Sequence, residues 1–324
     1  MADGDPLDDL SDIVNRMTGG NGGAPEALWF LKNDRVAGAG AAATIAGRLT
    51  SLWRYEGAPS HGAVPPTTAA VPDSTTDGGL KQTDPASGKK KWLLGGSINA
   101  SVGGSLVVVD RLLHNSGLSG TSTSAQTVGG TLTRYTTTEA KGNRVFVEIN
   151  TQIGVTPTTA TIDYTDQDGN SATSPTFQMG NTNYREAQRM IEVPLAAGDS
   201  GVRAVASITL AGSTGTAGDF GVVIARPLLL VVSGSAGIGS LRDLIRGLPE
   251  IREVKDDACL SLIWAAAGTS APRITGSISM SEKGAMSALA NFVDFKQRLE
   301  APHQAIPFVK STISGQQTGE LVSF

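Results

Sequence analysis

The sequence predicts a mainly β protein: an antiparallel β-sandwich of jelly-roll type, with short helices and long extended N- and C-terminal arms. Three observations predict it. Residues 144–232 form a ladder of short alternating segments broken by Gly, Asn, Pro and Thr, in which Val145, Val147 and Ile149 alternate with Phe146, Glu148 and Asn150, and Ala160, Ile162 and Tyr164 alternate with Thr159, Thr161, Asp163 and Thr165. One apolar and one polar face per strand is the pattern of antiparallel sheet packed on one side, not of buried parallel sheet. The composition agrees: Gly reaches 40 of 324 residues, and aromatic residues make up 5%. Charged residues are 17%, against roughly 25% in ordinary soluble domains. So little charge at near-neutral mean hydropathy fits a subunit covered by neighbours, or a β-domain with Ser and Thr on its wet faces.

From the N-terminus, Leu7, Leu10, Ile13, Val14 and Met17 recur at helical spacing, with Asp8, Asp9 and Asp12 early and Gly19-Gly20 as the stop, which predicts a short amphipathic helix. A helix this short needs a surface to dock on. Residues 37–46 are almost pure Ala and Gly, and residues 56–91 are rich in Pro, Gly, Ser and Thr. Stretches of that kind and length are functional or disordered, and ordering one costs about 1–2 kcal/mol per residue, which a partner surface is expected to supply. Residues 1–91 therefore read as an N-terminal arm, residues 92–283 as the sandwich body and residues 284–324 as a C-terminal helix and extended tail.

Within the body, Leu106 to Val109 predict a central strand and residues 117–130 a loop. Val202, Ala204, Ala206, Ile208 and Leu210 keep period two, as do Phe220, Val222 and Ile224, with a hairpin connection at 213–218. The unbroken apolar run 228–232 predicts a strand buried on both faces. Leu241, Leu244, Ile245 and Leu248 predict a short helix, residues 258–264 and 274–280 two more strands, and Leu289, Phe292, Val293, Lys296 and Leu299 a second helical stripe. The last residues, with Pro302 and Pro307, read as extended.

The motifs that resemble chemistry are each incomplete. Residues 234–240 read Gly-Ser-Ala-Gly-Ile-Gly-Ser between an expected strand and an expected helix, but no Lys follows the last Gly, and Arg242 stands where a dinucleotide fingerprint needs Gly. Asp166-Gln-Asp-Gly-Asn170 is rich in oxygen ligands, yet a calcium loop would place Gly two residues later and Glu at the position of Phe177; it reads as a hairpin turn. His61, His114 and His303 have no Cys or acidic partner at ligand spacing, and no Gly-x-Ser-x-Gly elbow occurs. A glycosidase-like carboxylate pair is a three-dimensional property that spacing does not disclose. A non-enzymatic protein is expected, with no cofactor and no metal.

A net charge of −4 argues against nucleic acid as the partner, since phosphate neutralisation needs a Lys and Arg excess; Lys89-Lys90-Lys91 reads as a solvated turn or as a salt-bridging patch on an acidic neighbour. No run approaches the ~18 apolar residues of a membrane span, and the acidic start lacks a signal-peptide pattern. Cys259 is the single cysteine. The candidate interface residues are the apolar and aromatic side chains of the arms: Leu10, Ile13, Met17, Trp29, Phe30, Trp53, Tyr55, Phe292 and Phe308, with core packing the equal alternative for the aromatic pairs 29–30 and 53–55.

Several segments together resemble virion structural proteins of tailed bacteriophages. They are Asn33-Asp-Arg-Val-Ala-Gly-Ala-Gly, Ala46-Gly-Arg-Leu-Thr-Ser-Leu-Trp, Asp110-Arg-Leu-Leu-His, Tyr164-Thr-Asp-Gln-Asp-Gly, Pro194-Leu-Ala-Ala-Gly-Asp-Ser-Gly-Val-Arg-Ala-Val, Thr214-Gly-Thr-Ala-Gly-Asp-Phe-Gly-Val and Arg226-Pro-Leu. The similarity spans residues 10–282, and the stretch after Lys283 is an addition to it. The resemblance implies a non-enzymatic particle component found in the virion and assembled in the host cytoplasm. The leading expectation is a capsid decoration or cement protein bound to the major capsid protein, as a homo-oligomer such as a trimer. The alternative is a tail, baseplate or fibre component.

Overall fold

The computed structural model describes residues 26–42, 44–85, 87–243 and 252–284. The expected helices at 7–17 and 286–299, the tail with Pro302 and Pro307, and the candidates Leu10, Ile13, Met17, Phe292 and Phe308 lie outside the described residues, as do Leu244, Ile245 and Leu248.

The strands in chain order are β1 (Glu26–Val36), β2 (Gly40–Ala41), β3 (Leu49–Ser51), β4 (Tyr55–Ala58), β5 (Lys89–Ala100), β6 (Gly104–His114), β7 (Gln126–Thr127), β8 (Arg144–Thr151) and β9 (Thr158–Asp166). They continue with β10 (Ser171–Thr173), β11 (Phe177–Met179), β12 (Arg189–Glu192), β13 (Val202–Leu210), β14 (Asp219–Ser233), β15 (Ser240–Asp243), β16 (Glu253–Val254), β17 (Leu260–Ala266) and β18 (Ile274–Gly284). The chain is mainly β with antiparallel sheets, as its alternation predicts. Its middle layer is a closed barrel in the order β12-β3-β17-β6-β14-β8. A seven-stranded sheet, β15-β5-β18-β1-β2 with β16 on β5 and β4 on β1, packs on one side of it, and a five-stranded sheet, β10-β9-β13-β7 with β11 on β9, on another.

Three apolar cores follow from this layering. Leu28, Phe30, Leu93, Ile98, Ile278 and Met280 of the large sheet meet Leu106, Val108, Leu262 and Trp264 of the barrel wall. Ile162, Tyr164, Val205 and Ile208 of the small sheet meet Val145, Val147, Ile149 and Val222. The barrel interior is filled by Val109, Phe146, Met190, Val223, Ala225 and Ile263, all from barrel strands.

This architecture corrects several expectations. β8 is not half-buried: Phe146 and Glu148 point into the barrel and are 4% and 1% exposed, because closure gives the strand a second interior. β13 breaks its period of two, since register shifts between Val202 and Ala204 and between Val205 and Ser207 turn Val205 inward and Ala206 outward. The run 228–232 buries Leu228, Leu229 and Val231 but leaves Leu230 and Val232 exposed; the strand breaks register between Pro227 and Leu229, as a residue without an N–H group favours. The helix expected at Leu241 is the strand β15. Among the described residues the one helical turn in the element order is a 3-10 turn, Thr137–Ala140.

The stretch 26–91 differs most from its expected role as an arm. β1 pairs along β18, and β3 completes the barrel. The Pro-rich stretch 59–88 forms an ordered strap over the body: Ala70 bridges His114 and Leu80 bridges Leu260, Ser116 Oγ donates to the Pro65 carbonyl, and Trp53 Nε1 donates to the Ala63 carbonyl at 2.8 Å. The surface that offsets its ordering entropy belongs to the same chain.

Candidate interaction surface

The outward face of the seven-stranded sheet carries the clearest unpaired apolar groups. On β1, Leu28 and Phe30 point into the core, so Ala27, Trp29 and Leu31 point out. Trp29 is 81% exposed, Leu31 49% and Leu241 on β15 76%. Register places these side chains in one frame: Trp29 pairs with Ser277, Ser277 with Ser97 and Ser97 with Leu241, a row across four strands. The Ser97 and Ser277 hydroxyls lie 3.0 Å apart at its centre. The neighbouring rows are Leu31–Thr275–Asn99 and Ala27–Ser279–Gly95. The face is thus a shallow trough with a floor of small side chains and walls of Trp29 and Leu31 on one side and Leu241 on the other. Three strand spacings make it ~14 Å wide.

The two chain ends leave beside this face. β1 begins at Glu26 opposite Met280, and β18 runs on to Gly284 opposite Lys89. Glu26 and Gly284, to which residues 1–25 and 285–324 are joined, therefore lie at the same end of one sheet, on adjacent strands. Lys91 is 1% exposed and pairs with Glu26, while Gln82 Oε1 accepts a second bond from its Nζ at 3.0 Å, so the point where β1 starts is tied to β5 and to the strap.

Buried polar groups inside the body act as fasteners. Arg134 Nε and Nη2 donate to Asp110 Oδ2 and Oδ1 at 3.0 and 2.9 Å, and Nη2 also reaches the Pro72 carbonyl at 3.0 Å. Asp110 accepts the Cys259 N–H as well. Burial by itself would lower the Arg134 pKa, and the hydrogen bonds and charge of Asp110 more than reverse it, so the guanidinium titrates above its ordinary value. Arg111 pairs with Glu148, donates from Nε to His114 Nδ1 at 3.0 Å and stacks 4.5 Å from the centre of the Trp53 ring. Burial first, and the Arg111 charge second, lower His114 from 6.5 to about 2, so it is a neutral acceptor. Lys32 donates to the carbonyls of Tyr55 and Pro59 at 3.2 and 2.8 Å, and burial lowers its pKa to about 8.

The candidate residues separate on this map. Trp29 stands on the open face, whereas Phe30, Trp53 and Tyr55 are 2%, 1% and 0% exposed and belong to the interior. Leu31 and Leu241 are the interaction candidates that sequence reasoning misses: Leu31 alternates with core residues and gives no separate signal, and Leu241 falls in a spacing that predicts a helix. Residues 234–240 lead into the strand β15, so no helix N-terminus stands behind the Gly-rich turn. Asp166 Oδ1 accepts the N–H groups of Asp168 and Asn170 at 2.7 and 2.8 Å, and Gly169 has φ +96°, as the hairpin reading requires. Cys259 is fully buried, and burial raises its thiol to about 12, which keeps it protonated and unreactive. Among the described residues no group of three or more His, Cys, Asp or Glu is placed to hold a metal ion, and no helix is long and apolar enough to cross a membrane.

No protein-family model matches the chain, and no curated protein matches it. Among solved structures it aligns with the crystal structure of the infectious bursal disease virus VP2 subviral particle over 85% of this chain and 87% of that one, at 10% identity and a TM-score of 0.17.

Proposed function

We propose that this chain is a non-enzymatic structural subunit of a bacteriophage particle, a decoration or cement protein that binds the major capsid lattice. The observation that supports it is that Glu26 and Gly284, to which residues 1–25 and 285–324 are joined, lie at the same end of one sheet of a three-layer body. Two segments leaving side by side are placed to engage one neighbouring surface. The sequence resemblance and the low charge fraction point the same way. Binding is the whole mechanism: segments laid across neighbouring subunits add buried area over joints that genome pressure would otherwise open, and permanent contacts of this kind bury roughly 2,000–5,000 Å². The body would act as the repeated unit of a closed homo-oligomer.

The test removes residues 1–25 alone, because β1 starts at Glu26 and any longer deletion cuts into the sheet. Labelled full-length protein added to purified heads lacking it is expected to co-sediment with them, and the shortened protein, still folded by circular dichroism, is expected to lose at least tenfold in occupancy. Full occupancy by the shortened protein, or label on tails rather than heads in negative stain, overturns the reading.

A further inference from the structure

The open trough on the seven-stranded sheet has the dimensions and position of a seat for a segment of this same chain. Its walls are the three large apolar side chains Trp29, Leu31 and Leu241, and its floor is Gly95, Ser97, Asn99, Thr275, Ser277 and Ser279, which lets a second element approach the sheet closely. β1 pairs with β18 from Glu26 to Lys32, a length of ~20 Å at ~3.3 Å per residue. The floor strand β18 leads directly into residues 285–299, whose sequence carries Leu289, Phe292, Val293 and Leu299 at helical spacing. Fourteen helical residues measure ~21 Å, with a diameter of ~10–12 Å including side chains, which fits the ~14 Å between the walls.

We propose that the apolar stripe of residues 286–299 occupies this trough in its own chain, folded back after Gly284, and covers Trp29 and Leu241. The alternative occupant, the same face of a second copy, is disfavoured by area. Three strand spacings by seven residues offer only about 300 Å² per copy, well below the ~800 Å² per partner of a stable interface. A segment joined to the floor strand by one residue needs no such area, since a short tether places it at millimolar effective concentration. The proposal goes beyond the particle reading and does not depend on it, since residues 1–25 and 300–324 remain to engage a neighbouring surface.

Trp29 reports on the cover. Acrylamide quenching is measured on the full-length protein and on its Trp29→Phe variant, and the difference isolates Trp29. The same pair is measured in a background of Leu289→Asp, Phe292→Asp and Val293→Asp, with folding checked by circular dichroism. The quenching constant of Trp29 is expected to be at least twofold lower in the parent than in the triple variant, independent of protein concentration. Equal quenching with and without the triple substitution overturns the proposal. Protection that disappears on dilution also overturns it and assigns the cover to a second copy. Loss of binding to heads leaves these readings untouched, so failure here and failure of the particle reading are told apart.

Discussion

His114 shows how one residue sets a pH dependence for the whole body. It accepts from Arg111 Nε and stands perpendicular to the Trp53 ring, whose centre lies 5.4 Å away, and burial above all keeps it neutral. Its pKa in the folded chain, about 2, lies below the ordinary 6.5, so between those values the unfolded chain binds a proton that the folded chain refuses. Stability from this residue is fully present above about pH 6.5 and is lost as the pH falls, by at most about 1.4 kcal/mol per pH unit. His114→Gln keeps an acceptor for Arg111 and removes the titration. Its melting temperature is expected to fall less steeply than that of the parent between pH 6.5 and 4; parallel curves would show that His114 is not the group responsible. Gly221 illustrates the tightness nearby: a Cβ there would stand 1.8 Å from the Asn115 carbonyl oxygen, so β14 passes the end of β6 closely enough to exclude any side chain.

At the scale of elements, the strap over residues 59–88 is tied to the body by a buried charge as well as by backbone bridges. Arg134 joins Asp110 on β6 to the Pro72 carbonyl on the strap and is 7% exposed. Removing one partner of a buried pair leaves the other charge uncompensated and costs about 3–5 kcal/mol. Arg134→Ala is expected to lower stability by that amount in urea unfolding and to open the strap to protease cleavage between residues 59 and 88. A loss under about 0.5 kcal/mol with the strap still resistant would mean that its backbone bridges alone hold it. Arg134→Lys falls between, because an ammonium keeps the charge but not the two-pronged geometry.

The whole molecule is closed by partners distant in sequence: Glu26 pairs with Met280, and β3 inserts between β12 and β17. Chains dominated by such contacts pay the entropy of closing long loops before the contacts form, and they fold in milliseconds to seconds or more slowly. Refolding followed by tryptophan fluorescence is expected to recover its main amplitude on that timescale, since Trp53 and Trp264 reach their burial only when the barrel closes. A microsecond phase carrying most of the amplitude would contradict this topology as the rate-limiting feature.

By itself the sequence determined the class of the protein, because alternation at β9 and β18 and the turn chemistry of Asp166 to Asn170 are local properties that physical chemistry reads within a few residues. It also placed Trp29 among the candidates for contact. The tertiary structure alone decided which alternating strands have a second interior, as at Phe146 and Glu148, and where bulges reset the phase, as at Val205. It alone showed that residues 26–91 belong to the body and that Leu241 stands in register with Trp29 across four strands. Those outcomes depend on which distant segments pair, and pairing partners are not encoded in the periodicity of either strand taken singly.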